Sequence, residues 1–360
     1  MRVAVVLPRH MNFSSTGATS IDLCAHDLGV FSRFRQSICF FGCEVTSPFS
    51  GVEFRAVGAG HQVDRFHLNT ALREFRPNII VVHQHLRTAA KTARDLRDTK
   101  LLLFRHGRTR EDSSLRRFLN QRDYNVLAGT VWVSQTARAH FLKQYPQCKA
   151  SSWVIHNGID CDLWRPARKQ HRVLFVGRAR QDKGVFDALR AFERANLQDW
   201  EMEFVLAVTN YEERQTFNRL KELAAEMEAA TPTFHVNLSA EQVRAKTASA
   251  TISLVPSIVQ EGFGRTAIEA LACGNALVAT RSGGLVEAAG DAALFVPPEA
   301  PEDLARALNE LVADPERMRR LGEDGRRHVM QNFDIRAVAQ KFDGLLEQVV
   351  AGETATEPAL

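Results

Sequence analysis

Short apolar runs recur along the chain, each followed by a stretch whose apolar positions are spaced as on a helix. In the first half these runs are VAVVL (3–7), SICFF (37–41), VEFRAV (52–57), NIIVVH (78–83), KLLLF (100–104), TVWVS (130–134) and SWVI (152–155). In the second half they are RVLFVG (172–177), EFVLAV (203–208), FHV (234–236), TISLV (251–255), ALVAT (276–280) and ALFV (293–296). Runs that stay apolar at successive positions predict strands buried on both faces, and helices between them predict parallel sheets. The polar, proline-bearing segment RPARKQHR (165–172) separates the two sets, and the pattern restarts at Val173. The expectation is an α/β chain of two doubly wound domains of similar size. Ligands would be held where the carboxyl ends of the strands face the cleft between them.

Composition adds little to that picture until the charges are mapped. A chain of 360 residues with 45% hydrophobic and 24% charged residues suits a globular protein of two domains. The apolar run in MRVAVVLPRH ends at Pro8, too soon for a signal peptide, and no stretch approaches the roughly 20 apolar residues of a spanning helix. The six cysteines (24, 39, 43, 148, 161 and 273) show no paired spacing, which predicts reduced thiols in a cytoplasmic chain. Residues 1–170 carry 25 basic against 13 acidic side chains, and the remainder 21 against 29. A net +12 set against −8 predicts an anionic partner for the first half, such as a phospholipid surface, a phosphorylated sugar or nucleic acid. An arginine-rich solvated surface is the plainer alternative. Nucleic acid is set aside, because no aromatic single-strand platform or recognised binding motif accompanies the charge.

Neither GxxxxGK[ST] nor GxGxxG occurs, so phosphate handling has to come from elsewhere. The loop SSTGATS (14–20) precedes the helical stretch IDLCAHDLGVF, and Gly17 lies within it. VGRARQDKG (176–184) follows the first strand of the second half and places Arg178 and Lys183 at that sheet's carboxyl edge. Arg178 suits bidentate contact with a diphosphate and Lys183 acts as a point charge. The third feature is EGFGRTAIEA (261–270), a tight loop leading into a helix that starts near Gly264 and is closed by Gly274. The open amides of its first turn can hold a phosphate group. Glu261 then lies in the loop, and Glu269 about 7.5 Å further along the helix. Two carboxylates so placed can accept hydroxyl hydrogen bonds from the two ends of a sugar–diphosphate–ribose ligand. A helix whose acidic residues answer only its own dipole would explain one glutamate, but not the Gly-Phe-Gly turn.

The stretch 261–269 resembles the E-x7-E motif of retaining GT-B glycosyltransferases of family 4. VGRARQDKG resembles that family's VGR-x4-KG phosphate loop, HNGID (156–160) its PNGID turn, and LACGNALVATRSGGLVE (271–287) its helix end, strand and GG-x2-E turn. DPERMRRLGEDGRRHVMQNFD (314–334) resembles its terminal helices, which cross back to the first domain. The second half matches almost throughout, the first half loosely. The resemblance implies a GT-B architecture: an acceptor-binding Rossmann-like domain over 1–165, a nucleotide-sugar domain over 166–332 and a crossover helix over 333–352. It implies that Arg178 and Lys183 bind the donor diphosphate, helped by the loop and helix start at Gly262, Phe263, Gly264, Arg265 and Thr266. It further implies that Glu269 binds ribose hydroxyls, that Glu261 contacts the transferred sugar and that Gly17 approaches the diphosphate. His106, in LLLFRHGR, matches the family's active-site histidine. Arg265 replaces a commonly apolar residue, and the first loop departs from the family's GG-x-E.

The implied reaction is transfer of a hexose, mannose or glucose, from a nucleotide-diphosphate sugar, with no cofactor and no metal. The basic first half points to an anionic, membrane-associated glycan or glycolipid acceptor such as a lipopolysaccharide core, met at the cytoplasmic face of the inner membrane. A family-4 enzyme acting on a small or polysaccharide acceptor is the near alternative, and a GT-B nucleotide-sugar epimerase a more distant one. In DSSLRRFLNQRDY (112–124), Leu115, Phe118 and Leu119 stand at helical spacing among arginines, which suits a membrane surface but fits core packing slightly better. Asp160-Cys161-Asp162 spells the metal-binding D-x-D of the other large glycosyltransferase fold, yet Asp160 already belongs to NGID. His83 and His85 are cleft-lining candidates without a role.

Overall fold

Every apolar run becomes a strand. The computed structural model describes residues 1–8, 12–15, 17–58, 63–227 and 231–353. Thr16 of the SSTGATS loop and residues 354–360 of the GETATEPAL tail lie outside them. Two units separate cleanly, residues 1–158 with the C-terminal segment from Ile335, and Ile159–Asp334.

The first unit holds strands β1 (Val3–Val6), β2 (Ile38–Gly42), β3 (Glu53–Ala56), β4 (Ile79–His83), β5 (Lys100–Arg105), β6 (Gly129–Trp132) and β7 (Ser151–Val154). They form one parallel sheet in the order β3-β2-β1-β4-β5-β6-β7. Helices α1 (Ser20–Phe31), α2 (Arg65–Phe75), α3 (Leu86–Asp95), α4 (Ser114–Tyr124) and α5 (Gln135–Gln144) connect the strands. β1, β2 and β4 are buried at every position, which is why they read as unbroken apolar runs.

The second unit repeats the plan with β8 (Gln170–Arg178), β9 (Glu201–Ala207), β10 (Thr233–Val236), β11 (Ala250–Val255), β12 (Ala276–Thr280) and β13 (Ala293–Val296), in the order β10-β9-β8-β11-β12-β13. Its helices are α6 (Val185–Ala195), α7 (Tyr211–Ala225), α8 (Ala240–Ser249), α9 (Arg265–Ala272), α10 (Leu285–Ala289), α11 (Pro301–Ala313) and α12 (Pro315–Asn332). β8 starts inside the proline-bearing segment, at Gln170, where Lys169 acts as an internal peg. Its ammonium donates to the carbonyls of Ala248, Ala250 and Cys273 at 3.2, 2.8 and 2.7 Å and to Asn275 Oδ1. Burial pushes this amine down to about 8. The peg fixes the carboxyl end of α9, and so aims the other end.

The final helix, α13 (Ile335–Ala351), belongs to the first unit. Its buried Asp343 accepts from Ser32 Oγ at 2.5 Å and from the Arg33 amide at 2.8 Å, just past the end of α1. Phe342 packs on Phe104 of β5 with ring centroids 6.0 Å apart.

Helix α4 departs from the core packing that its spacing favoured. Leu115, Phe118 and Leu119 are 71%, 61% and 48% exposed. The helix is held at its ends instead. Tyr145 donates to Asp112 just before it at 2.5 Å, Arg94 pairs with Asp123 at 2.7 Å, and Tyr124 alone of its residues is buried. Among the described residues no helix is long and apolar enough to cross a membrane.

Candidate functional site

The second unit gathers nine of the predicted residues around two loops at the carboxyl edge of its sheet. β8 ends at Arg178, whose guanidinium lies 3.4 Å from Glu213. Glu213 is fully buried at the start of α7, and its other oxygen accepts from the Thr209 amide and hydroxyl at 2.7 and 2.8 Å. The chain then makes a single 3-10 turn, Gln181–Lys183, and enters α6 through Gly184 at φ 71°. A side chain at Gly184 would place its Cβ 2.0 Å from the Pro256 carbonyl oxygen, so only glycine allows this approach. The carbonyl of Asp182 accepts from the amides of Ile258 and Val259 at 3.0 and 3.1 Å. The loop after β8 and the loop after β11 are therefore one continuous surface.

Across that surface Lys183 Nζ donates to Glu261 Oε1 at 2.7 Å, and Ser257 Oγ donates to the same oxygen at 2.6 Å. Both partners are partly accessible, with side chains 27% and 17% exposed. Gly262 and Phe263 complete the turn. Phe263 is 2% exposed and packs edge-on against Phe333, so its ring anchors the turn. Gly264, at φ 113°, is the N-cap of α9 and offers no side chain to its first-turn amides. That leaves the helix start suited to an anion.

Arg265 and Thr266 open the helix, and Glu269 lies on the same face as Arg265, with Arg265 Nε 2.9 Å from Glu269 Oε1. The pair is one-tenth exposed on each side, so Arg265 is committed along the helix rather than extended outward. Thr266 and Glu269 also line a small cavity of about 10 Å³ with Val176 and Val255, room for about one water. Each cation in this region thus has its own carboxylate: Arg178 with Glu213, Lys183 with Glu261, Arg265 with Glu269. An anion entering here would compete with Glu261 for Lys183.

The remaining two predicted residues belong to the first unit. Gly17, at φ 75°, precedes α1, where the Thr19 amide and hydroxyl each donate to one oxygen of buried Asp22 at 2.8 Å. His106 follows β5 and is half-buried. Its Nε2 lies 2.8 Å from Nδ1 of His83, with the rings stacked at 5.0 Å, and Phe104 stacks on both. One proton is shared along that contact, so each ring's tautomer fixes the other's. The His106 amide donates to Gln84 Oε1 at 3.0 Å, and Gln84 itself sits at φ 63°.

Burial pushes His83 down to about 3, and burial with the charges of His83 and Arg105 holds His106 well below its ordinary value. Between pH 6.5 and about 3 the unfolded chain binds protons that folded His83 refuses, so stability rises with pH there and is lost on acidification. Fully buried His83 should cost about 2 kcal/mol of stability at pH 5 relative to pH 7. Urea unfolding of the wild type should show that fall. His83→Gln should make it shallower, with His106 supplying the rest, and an equal fall in the variant would count against the buried pair as its cause.

Asp160 serves its own turn. Its carboxylate accepts from the Asp162 amide at 3.1 Å, and its carbonyl accepts from Leu163 and Trp164. Among the described residues no group of three or more His, Cys, Asp or Glu is gathered so as to hold a metal ion.

Sequence reasoning missed three contributors. Glu213 could have been found as the acidic third residue of a capping pattern behind Thr209 and Asn210. Ser257 lies between the TISLV run and the 261–270 stretch and was given no role. The glycine pair Gly283–Gly284 appeared as a motif without a task, yet it seats the 261–263 loop: the Gly284 amide donates to the Glu261 carbonyl at 2.9 Å.

Residues 164–328 match the family model described as glycosyl transferases group 1, and residues 47–163 the one described as glycosyltransferase family 4. An MMP alpha-(1->4)-mannosyltransferase of Mycolicibacterium hassiacum is 30% identical over 61% of this chain and 54% of its own length. A lipopolysaccharide 1,2-N-acetylglucosaminetransferase of Salmonella typhimurium is 23% identical over 74% and 71%. The chain spans only about half to three-fifths of the length of the mycobacterial relatives it matches. Among solved structures, a sucrose-phosphate synthase from Thermosynechococcus elongatus is 19% identical with a TM-score of 0.82, covering 98% of this chain and 100% of that one. Anabaena HepE, solved in complex with UDP and glucose, is 16% identical with a TM-score of 0.81, covering 97% and 100%. The fold is GT-B, with two parallel Rossmann-like sheets.

Proposed function

Because the chain belongs to the group 1 glycosyl transferases of family 4, we propose that it is a retaining hexosyltransferase using a nucleotide-diphosphate sugar. The observation that carries this reading is the stitched surface of Arg178, Lys183, Glu261 and the uncapped start of α9. Transfer leaves a nucleoside diphosphate, and negative charge grows on its phosphate oxygens as the glycosidic bond breaks. A guanidinium, an ammonium and oriented amides stabilise that charge without a metal ion. Glu269 is the residue assigned to ribose hydroxyls and Glu261 the one assigned to the transferred sugar. The reacting carbon gains positive character in an oxocarbenium-like transition state. Burial, with the charges of His83 and Arg105, keeps His106 neutral, so it adds no cation at the end of β5. The UDP named for HepE and the hexose named for the mannosyltransferase support a UDP- or GDP-hexose donor, with glucose or mannose transferred. Thermal shifts with UDP, GDP and ADP test this. One of them should raise the melting temperature by several degrees at saturating concentration, and no shift with any would reject the reading.

The acceptor is proposed to be an anionic, membrane-associated glycan or glycolipid, of which a lipopolysaccharide core is one example. Helix α4 supports this, with three exposed apolar side chains flanked by Arg116, Arg117 and Arg122. Apolar anchors with basic neighbours suit an anionic bilayer surface, where each buried side chain adds to electrostatic attraction. Replacing Leu115, Phe118 and Leu119 with serine should cut flotation with phosphatidylglycerol vesicles about tenfold or more and leave UDP affinity unchanged. Undiminished flotation would remove α4 from the account. A small or polysaccharide acceptor is the second reading, favoured by the alpha-maltose-1-phosphate synthase relatives from mycobacteria.

A further inference from the structure

The first unit contains a cavity of about 240 Å³ that the donor-side reading leaves unused. Its floor is Leu7, Leu68 and Val82, each 2% exposed or less. Leu7 follows β1 and Val82 lies in β4, and these neighbouring strands are where the chain reverses its direction across the sheet. From β1 the chain moves outward to β2 and β3, and then returns to place β4 on the other side of β1. Such a switch point opens a crevice at the carboxyl ends of the strands, the usual ligand position in an open α/β sheet.

The walls are cationic. Arg87 and Lys91, one helical turn apart on α3, line the cavity, and Arg65 lines it from α2. Arg65 is neutralised by Asp95, with contacts of 2.7 to 2.9 Å. Arg87 and Lys91 have no ion-pair or hydrogen-bond partner among the described residues and are exposed. Like charges at this spacing repel and weaken a helix slightly, so the fold gains nothing from the pair. His85 also lines the cavity, and its Nδ1 accepts from the Thr88 amide at 3.3 Å and contacts the Thr88 hydroxyl at 2.7 Å. Accepting on Nδ1 leaves the neutral ring's proton on Nε2, a donor.

We infer that this cavity takes the phosphate-bearing end of the acceptor, a sugar carrying a phosphate monoester. The phosphate meets Arg87 and Lys91, the C–H face of the ring lies on Leu7 and Val82, and hydroxyls meet His85 and Thr88. The volume is below that of pockets for drug-sized ligands and suits one sugar phosphate rather than an extended glycan. The inference rests on the transferase reading, which supplies the acceptor, but its site and its chemistry are separate from the donor surface.

The test is calorimetric titration of the full chain with glucose 1-phosphate, glucose 6-phosphate and inorganic phosphate, alongside UDP. At least one sugar phosphate should bind more tightly than inorganic phosphate. Arg87→Ala/Lys91→Ala should weaken it tenfold or more while UDP affinity and melting temperature hold. Alanine is a good helix former at both positions, so the variant retains α3. No binding of any phosphate probe at millimolar concentration, or equal binding by the variant, overturns the inference. Flotation with phosphatidic acid vesicles separates the sources. If the variant loses lipid binding but keeps sugar-phosphate binding, the two cations serve a membrane surface and the pocket assignment falls. If UDP fails to bind while a sugar phosphate binds through Arg87 and Lys91, the donor reading fails and this anion site stands.

Discussion

Arg178→Ala/Lys183→Ala should lower nucleotide-sugar turnover by about 10³-fold or more, with most of the loss in kcat. Removing a single preorganised donor to a developing oxyanion typically costs about 10²- to 10³-fold, and here two charged donors go together. The single variants are informative for different reasons. Lys183→Ala leaves Glu261 with Ser257 as its remaining hydrogen-bond donor, so its effect reads mainly on the donor. Arg178→Ala also strips the ion-pair partner from the fully buried Glu213, so unit stability falls as well, and melting temperature has to be measured beside the rate. Arg178→Lys keeps a cation without the planar fork, and an intermediate rate is expected. Wild-type turnover in the double variant would place the diphosphate elsewhere.

Gly284→Ala should damage the second unit's stability and its nucleotide site together. A methyl group there would sit 2.3 Å from the Gly262 carbonyl oxygen and 2.9 Å from Phe263 Cα. Both obstacles are backbone, so no rotamer relieves them. Separation requires the 261–263 loop to move off α10, which breaks the hydrogen bond from the Gly284 amide to Glu261. The expected loss is about 1–3 kcal/mol of stability from overpacking alone. Nucleoside diphosphate affinity should fall further than stability does, because Glu261 and the start of α9 are displaced together. Calorimetric titration of UDP beside thermal unfolding checks both. Unchanged affinity would show that the loop's position is irrelevant to the donor.

The strands were readable because parallel sheets covered on both faces need apolar residues at consecutive positions, and β1, β4 and β12 supply them. The start of α9 was readable for a local reason as well: a glycine at its N-cap and another after its end frame the helix. Contacts that depend on strand order were not. His83 and His106 lie 23 positions apart, and only the pairing of β4 with β5, which sets His83 opposite Phe104, brings their rings together. The fate of α4 was equally hidden. Leu115, Phe118 and Leu119 have the spacing of a buried stripe, and spacing cannot say whether a partner surface exists. For the glycine pair, the motif was visible, but its purpose lies in a loop twenty residues earlier.

Arg178, Lys183 and the start of α9 are proposed to grip a nucleotide's two phosphates with no metal between them. Titration of UDP and GDP into the chain in the presence of EDTA tests it most directly. One nucleotide should bind as well with chelator as without it, and at least tenfold more weakly to Arg178→Ala/Lys183→Ala. Binding that disappears with EDTA, or that the double variant retains in full, would contradict it.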